Sequence, residues 1–323
     1  MNGEKAYYKK VNLNGIETIA LTFDAKHKIE CFIAPGYGAN MVRMSVDGKD
    51  VIDFDADLFN KHGFTGTPVL YPTPNRVRDG KFTFNGRLFQ YESGARPAYE
   101  HGLVHYESWE YEAPIVSGDS VSIKLFLDCK KGERMYAAFP IEHRINLIYT
   151  LYEDGVKIEY QIENKDSVPL PYGFALHPYF IKLSGDGGTY AKLPAKKYME
   201  ATPELLPTGK LIDTITLKAD VLNGDKLGKM DFDHVFTDLE QDSNSEIWYD
   251  GLDFKMELCA GKTFSHIVFY TPKGEDFFCI ENQTCSTDAH NMYEKGYKQE
   301  SGLEIINPYD TKSDFIFYRV ADI

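Results

Sequence analysis

Hydrophobic and polar residues alternate along most of this chain. In VSIKLFLDC (121–129), INLIYTLYE (145–153) and VKIEYQIEN (156–164) close to every second side chain is apolar, and the same rhythm returns around Ile247. A period of two places the apolar residues on one side of an extended strand, so the pattern predicts strands with one buried face. Asn-Gly and Asp-Gly pairs separate such runs at Asn14-Gly15, Asp47-Gly48, Asn85-Gly86, Asp154-Gly155 and Asp250-Gly251. These pairs accept the positive φ angles of tight hairpin turns. The clearest case is LIYTLYEDGVKIEYQIE, two alternating runs about a two-residue turn. Spacings of three and four persist only briefly, as in DADLFNKHGF near residue 58, so helices should be few. No repeat of fixed period and no Ser/Gly/Pro-rich linker interrupts the pattern. The expectation is one all-β domain over residues 1–323, built from two or more antiparallel sheets packed face to face.

Composition narrows the possible partners. The 323 residues are 43% hydrophobic and 14% aromatic, enough for a substantial core. Thirty-five basic side chains face 49 acidic ones, a formal charge of −14, and no Lys/Arg-rich block occurs. Nucleic acid and anionic membrane surfaces are therefore not expected as partners. The segment MNGEKAYYKKVNLNGIE has no apolar signal-like region, and no apolar run is long enough to span a bilayer, so the expected location is cytoplasmic. Cys31, Cys129, Cys259, Cys279 and Cys285 are odd in number, scattered and without a CxxC. They read as reduced and mostly buried, not as a zinc site or a disulfide framework.

Chemistry enters through a few polar residues in hydrophobic or turn-rich surroundings. In GFALHPYF, Phe174 and Leu176 would share one strand face while Ala175 and His177 share the other. Pro178 donates no hydrogen bond and biases His177 towards extended geometry, so the strand should end or leave its sheet at the histidine. Glu281 follows the apolar run FFCI, where a carboxylate is rarely buried unless paired or used; a capped strand end is the alternative. Arg76, beside Asn75 and just before the turn at Asp79-Gly80, reads either as a surface arginine paired with a carboxylate or as a fork of donors for hydroxyls. Asp233 could equally be a turn acid, as Asp231 beside it reads. His101 and His105 stand four apart, a metal-binding spacing on a helix, but Gly102 and Val104 disfavour a helix and no third ligand is evident.

Taken in order, these segments resemble the aldose 1-epimerase, or galactose mutarotase-like, family. The resemblance rests on Asn75-Arg76 followed by a Gly80 hairpin and FTFNG, on HGLVHYESW, on HPYF, on DHVF, and on a late Glu281 near TDAHN, and it covers roughly residues 15 to 320. It implies a β-supersandwich of mainly antiparallel strands that acts on free sugars without a cofactor or metal. Glu281 would be the general base, His177 the general acid and His101 a second histidine near the ring oxygen. Asn75, Arg76 and Asp233 would hold sugar hydroxyls, and the protein would be a monomer or homodimer. Two features depart from the family's usual pattern: TPNRV leads into the Asn-Arg pair, and HGLVHYESW is closer to the branch with HGFAR than to the galactose-specific one. In branches acting on hexose 6-phosphates an arginine closes HGFAR, whereas His105 stands here, so a neutral aldohexose is expected ahead of a phosphorylated one. A hexose-6-phosphate 1-epimerase and a non-catalytic carbohydrate-binding protein are the alternatives.

Overall fold

The alternating runs become the strands they predict. The computed structural model of the chain describes residues 5–61, 63–91 and 98–323. Ser120–Cys129, His143–Tyr152 and Gly155–Asn164 pair in sequence. Thr311–Asp322, Phe254–Ala260 and Ser245–Tyr249 then continue the ladder at the heart of a ten-stranded sheet. A second, eight-stranded sheet runs Pro207–Asp213, Ala195–Ala201, Asp233–Leu239, His266–Tyr270, Phe277–Gln283, Ala175–Leu176 and Val69–Leu70, with Tyr179–Ile181 also pairing on Phe277–Gln283. A five-stranded sheet holds the first strands, from Ala6–Leu13 to Lys49–Asp50. Among the described residues every strand ladder is antiparallel, and the one parallel bridge joins Tyr71 to Gly102. This is the all-β architecture of packed antiparallel sheets expected from the sequence.

The apolar faces explain the layering. Tyr318 of the ten-stranded sheet meets Phe180 of the eight-stranded one edge-on, with ring centroids 5.8 Å apart, and Tyr160 stacks on Phe174 at 4.4 Å. Both contacts belong to one continuous cluster of buried side chains. Burying these faces is the main drive for the fold, at about 25 cal/mol per Å² of apolar surface. The short helix Ala56–Asn60 begins at Asp55, whose carboxylate accepts from the Leu58 amide at 2.9 Å. His62, in the same apolar segment, lies outside the described residues. No helix among the described residues is long and apolar enough to cross a membrane.

Three of the five turns have the two positive φ angles of a primed hairpin turn: Asn14-Gly15, Asp47-Gly48 and Asn85-Gly86. The other two differ. Gly155 pairs with Tyr152, so the turn residues are Glu153 and Asp154. Gly155 instead serves a close approach, because a Cβ there would lie 2.2 Å from the Tyr318 carbonyl oxygen. At Asp250-Gly251 only the glycine has positive φ. The cysteines are free, and all but Cys259 are buried.

Candidate active site

Residues directly opposite one another in an antiparallel ladder project to the same side of the sheet. Across the eight-stranded sheet Asp233 faces Tyr270, Tyr270 faces Cys279, and Val268 faces Glu281. Asp233, Tyr270, Glu281 and Gln283 therefore share one face. The alternate residues Phe236, Phe269, Phe278 and Ile280 are fully buried on the other, against the core. The strand FFCIENQ thus divides its alternation between a packed face and a polar one.

His177 joins the polar face through its proline. Ala175 pairs with Gln283 and Tyr179 with Cys279, in a single register that puts His177 opposite Glu281. Pro178 cannot donate to the ladder, and the backbone amides of His177 and Tyr179 turn instead to the carbonyls of Pro68 and Gly66, at 3.0 and 2.9 Å. The strand is interrupted at the histidine, as its sequence predicts, while the register survives. His177 Nε2 then lies 3.2 Å from Glu281 Oε1. Both are nearly buried, at 6% and 2% exposure. The imidazole stacks on Tyr179 at 4.7 Å and lies nearly parallel to Phe64 at 6.3 Å.

The other candidates form the rim. Asn75 has a positive φ, and its Oδ1 accepts from the Arg76 amide at 2.9 Å and from Arg76 Nη1 at 3.2 Å. Arg76 Nε also reaches Glu100 at 2.9 Å, across the pairing of Arg76–Arg78 with Ala98–Glu100. The TDAHN loop holds this strand in place, since the Asp288 amide donates to the Arg76 carbonyl and the Arg78 amide to the Asp288 carboxylate. His101 is no helix residue. It sits at φ +68° with its amide on the Asn75 carbonyl, and its ring meets His177 edge-on at 5.3 Å. His101, His177, Glu281, Asn75, Arg76 and Asp233 thus occupy one region, while Asp231 is a surface acid paired with Lys273.

The electrostatics correct one expectation. The roles implied by the family resemblance, Glu281 as base and His177 as acid, ask for an anionic carboxylate and a cationic imidazole. Burial pushes the His177 imidazole down to about 4 and the Glu281 carboxyl well above its usual range. A hydrogen bond from Gln283 to Glu281 Oε2, at 3.1 Å, and the Arg76 charge oppose the second shift only in part. Both shifts favour the uncharged forms, so burial favours a resting pair in which the proton sits on the carboxyl and the imidazole is neutral. Burial likewise raises Asp233, against the pull of Arg76.

Sequence reasoning missed Gln283, Glu100, Phe64 and Tyr179. Gln283 was within reach, two residues after Glu281 and so on the same strand face. Glu100 was also within reach, directly before His101, whereas Phe64 comes from a segment that no local pattern marks.

Among the described residues no group of three His, Cys, Asp or Glu side chains is placed to hold a metal ion. Comparison with known proteins adds the following. An Escherichia coli K12 protein, the uncharacterized YihR, is 22% identical over 78% of this chain and 77% of its own. A galactose mutarotase-like protein of Clostridium acetobutylicum has the same fold, with a TM-score of 0.90 at 21% identity over 99% of this chain and 100% of that one. The galactose 1-epimerase of Lactobacillus acidophilus NCFM superposes with a TM-score of 0.77 at 14% identity, over 99% of each chain. The sequence pattern of aldose 1-epimerases runs through residues 20–305, and the chain belongs to that family.

Proposed function

We propose that this protein is a mutarotase that interconverts the α and β anomers of a free aldose. The observation that carries the reading is the cross-strand contact of His177 and Glu281 at 3.2 Å, two buried groups able to pass a proton between them beside the polar side chains of the rim. Anomer exchange needs the C1 hydroxyl to lose a proton while the ring oxygen gains one. The C1–O5 bond then breaks to leave an aldehyde, C1–C2 rotates, and the reverse transfer closes the ring. In the ion-paired form Glu281 takes the C1 proton and His177 delivers its own to O5. In the neutral form the two exchange roles. Either way the pair begins and ends with one proton, so no other acid or base is consumed. Each such group typically contributes about 10² to 10⁴ in rate.

His101, edge-on to His177, would stand beside the ring oxygen, while Asn75, Arg76 and Asp233 would hold the remaining hydroxyls. Arg76 is already paired with Glu100, which favours a neutral sugar over a phosphorylated one. Polarimetry on freshly dissolved α-D-glucose and α-D-galactose tests the proposal: the protein should accelerate the approach to equilibrium. Sugar binding without acceleration would leave a carbohydrate-binding protein instead.

A further inference from the structure

The two oxygens of the Glu281 carboxyl meet different neighbours. Oε1 lies 3.2 Å from His177 Nε2, and Oε2 accepts from Gln283 Nε2 at 3.1 Å. Gln283 is two residues further along the same strand, so it shares the face of Glu281, and it is fully buried. Its backbone is held between Ala175 on one neighbouring strand and His266 on the other. The amide therefore reaches the carboxyl from inside the sheet, where no solvent competes for its donor.

An amide nitrogen donates and does not accept. With Gln283 Nε2 directed at Oε2, that oxygen has to be the acceptor. The hydroxyl oxygen of a carboxylic acid is the weaker acceptor of the two, so the carboxyl proton is left with Oε1, the oxygen that faces His177. A proton on Oε1 is donated to Nε2, which must then be the bare nitrogen of a neutral ring, and the imidazole carries its own proton on Nδ1. Nδ1 has no well-aligned hydrogen-bond partner among the described residues, and the one backbone contact that favours a proton on this ring is with the carbonyl of His177 itself.

The opposite orientation of the amide fits the chemistry less well. Turned over, Gln283 would set its own oxygen against Oε2, two acceptors face to face whenever Glu281 is ionised. Glu281 is ionised at one stage of any cycle in which it gives up its proton. As placed, the amide suits both stages, because it donates to the carboxylate and equally to the carbonyl oxygen of the acid. What it gives up is a bond for its own Oε1, which is buried and has no partner among the described residues.

We propose that Gln283 is a positioning residue: by occupying Oε2 it confines the exchangeable proton of Glu281 to Oε1, and so holds His177 in the tautomer with its proton on Nδ1. This inference rests on the mutarotase reading and says which atoms carry out the exchange. From the neutral pair, the Oε1–H bond breaks as O5–H forms, the C1 hydroxyl gives its proton to Nε2, and the C1–O5 bond opens to the aldehyde. Ring closure returns both protons.

The test is nitrogen NMR at neutral pH on protein carrying isotopically labelled histidine, since long-range proton–nitrogen correlation distinguishes a ring protonated on Nδ1, on Nε2 or on both. His177→Asn identifies the His177 signals by their loss. The expected result for the unmutated protein is a His177 protonated on Nδ1 alone; a proton on Nε2, alone or with one on Nδ1, overturns the inference. Gln283→Met keeps the length of the side chain without the donor, and Gln283→Asn keeps the amide on a stem one carbon shorter. Both should lower kcat by about tenfold, the worth of one hydrogen bond, with KM within about threefold. Both should also shift or split the His177 signals while those of the buried His143 and His290 stay in place. Unchanged kcat together with unchanged His177 signals overturns the inference, and if neither variant folds, the spectrum of the unmutated protein decides. That spectrum needs no sugar, so the two readings fail separately. His177 protonated on Nδ1 in a protein that accelerates no mutarotation leaves the placement of the protons standing and removes the mutarotase reading.

Discussion

Replacing Gly102 by alanine should damage both stability and catalysis, and the structure says by how much. Gly102 has φ +76°, and an added Cβ would lie 2.2 Å from the Tyr71 carbonyl oxygen and 2.6 Å from its carbon, where real Cβ contacts essentially never fall under 3.0 Å. The two backbones must therefore part by at least about 0.8 Å. That movement strains the Leu103 amide's bond to the same carbonyl, 2.7 Å long, and carries His101 with it. Gly86 provides the control: it has φ +77°, and nothing lies within 4 Å of its virtual Cβ. Both substitutions incur the backbone strain of a positive φ, about 1 kcal/mol or slightly more. Only Gly102→Ala adds a broken buried hydrogen bond, about 1 to 3 kcal/mol. With about 2 °C per kcal/mol at this chain length, Gly86→Ala should lower the melting temperature by about 2 °C and Gly102→Ala by about 4 to 8 °C. Displacing a site residue by about 1 Å can cost about 10²-fold in rate, so Gly102→Ala should also lose mutarotation while Gly86→Ala keeps it. Circular dichroism melts and polarimetry read the two effects. Equal melting temperatures and equal rates for the two variants would refute the reasoning that the Tyr71–Gly102 approach holds His101.

Other predictions follow from the same structure. Because the active pair carries one proton, initial rates taken within seconds of a pH jump should form a bell, with the acid limb near pH 4, where His177 gains a second proton. The alkaline limb should lie well above the usual carboxylate value, where Glu281 gives up its own; an acid limb at the ordinary histidine value of about 6.5 would contradict this. Burial holds His143 and His266 down to about 4 and His290 to about 3. The unfolded chain therefore binds protons that the folded one refuses, and stability should fall as pH drops from about 6.5 towards 4, by up to about 3 kcal/mol per histidine. A melting temperature unchanged down to pH 4.5 would contradict that. Arg76→Ala should raise KM by about tenfold and leave kcat within about threefold, since its hydroxyl contacts serve ground and transition states alike; a loss confined to kcat would contradict its role.

What the sequence revealed depended on how local each signal was. The strands from 121 to 164 and the break at His177-Pro178 follow from period-two burial and from proline's missing donor, both properties of a few adjacent residues. The pairing of His177 with Glu281 is not local. It depends on the register between Ala175–Leu176, Tyr179–Ile181 and Phe277–Gln283, elements about a hundred residues apart. The resemblance to a family brought these two residues together, and the ladder gives the physical reason. The protonation state was misjudged because burial cannot be read from HPYF or FFCIENQ alone. Phe64 was invisible because tertiary packing alone delivers it, and Glu100, though next to His101, shows its role only through its ladder pairing with Arg76. The hairpin at residue 154 was foreseen and its turn misplaced by one residue, because Gly155 is required by the neighbouring strand at Tyr318 and not by the turn.

The central claim is that His177 and Glu281 move the protons of anomer exchange, and Glu281→Gln tests it most directly. Glutamine keeps the size of the side chain, with its oxygen able to accept from Gln283 and its amide nitrogen able to donate to His177, but it cannot take up or give up the shared proton. Polarimetry and calorimetry on the same sugar, for the unmutated protein and the variant, separate chemistry from binding. The account predicts that kcat falls by about 10² to 10⁴ while affinity changes by no more than about tenfold, the worth of one altered hydrogen bond. Mutarotation by Glu281→Gln at close to the unmutated rate would contradict it.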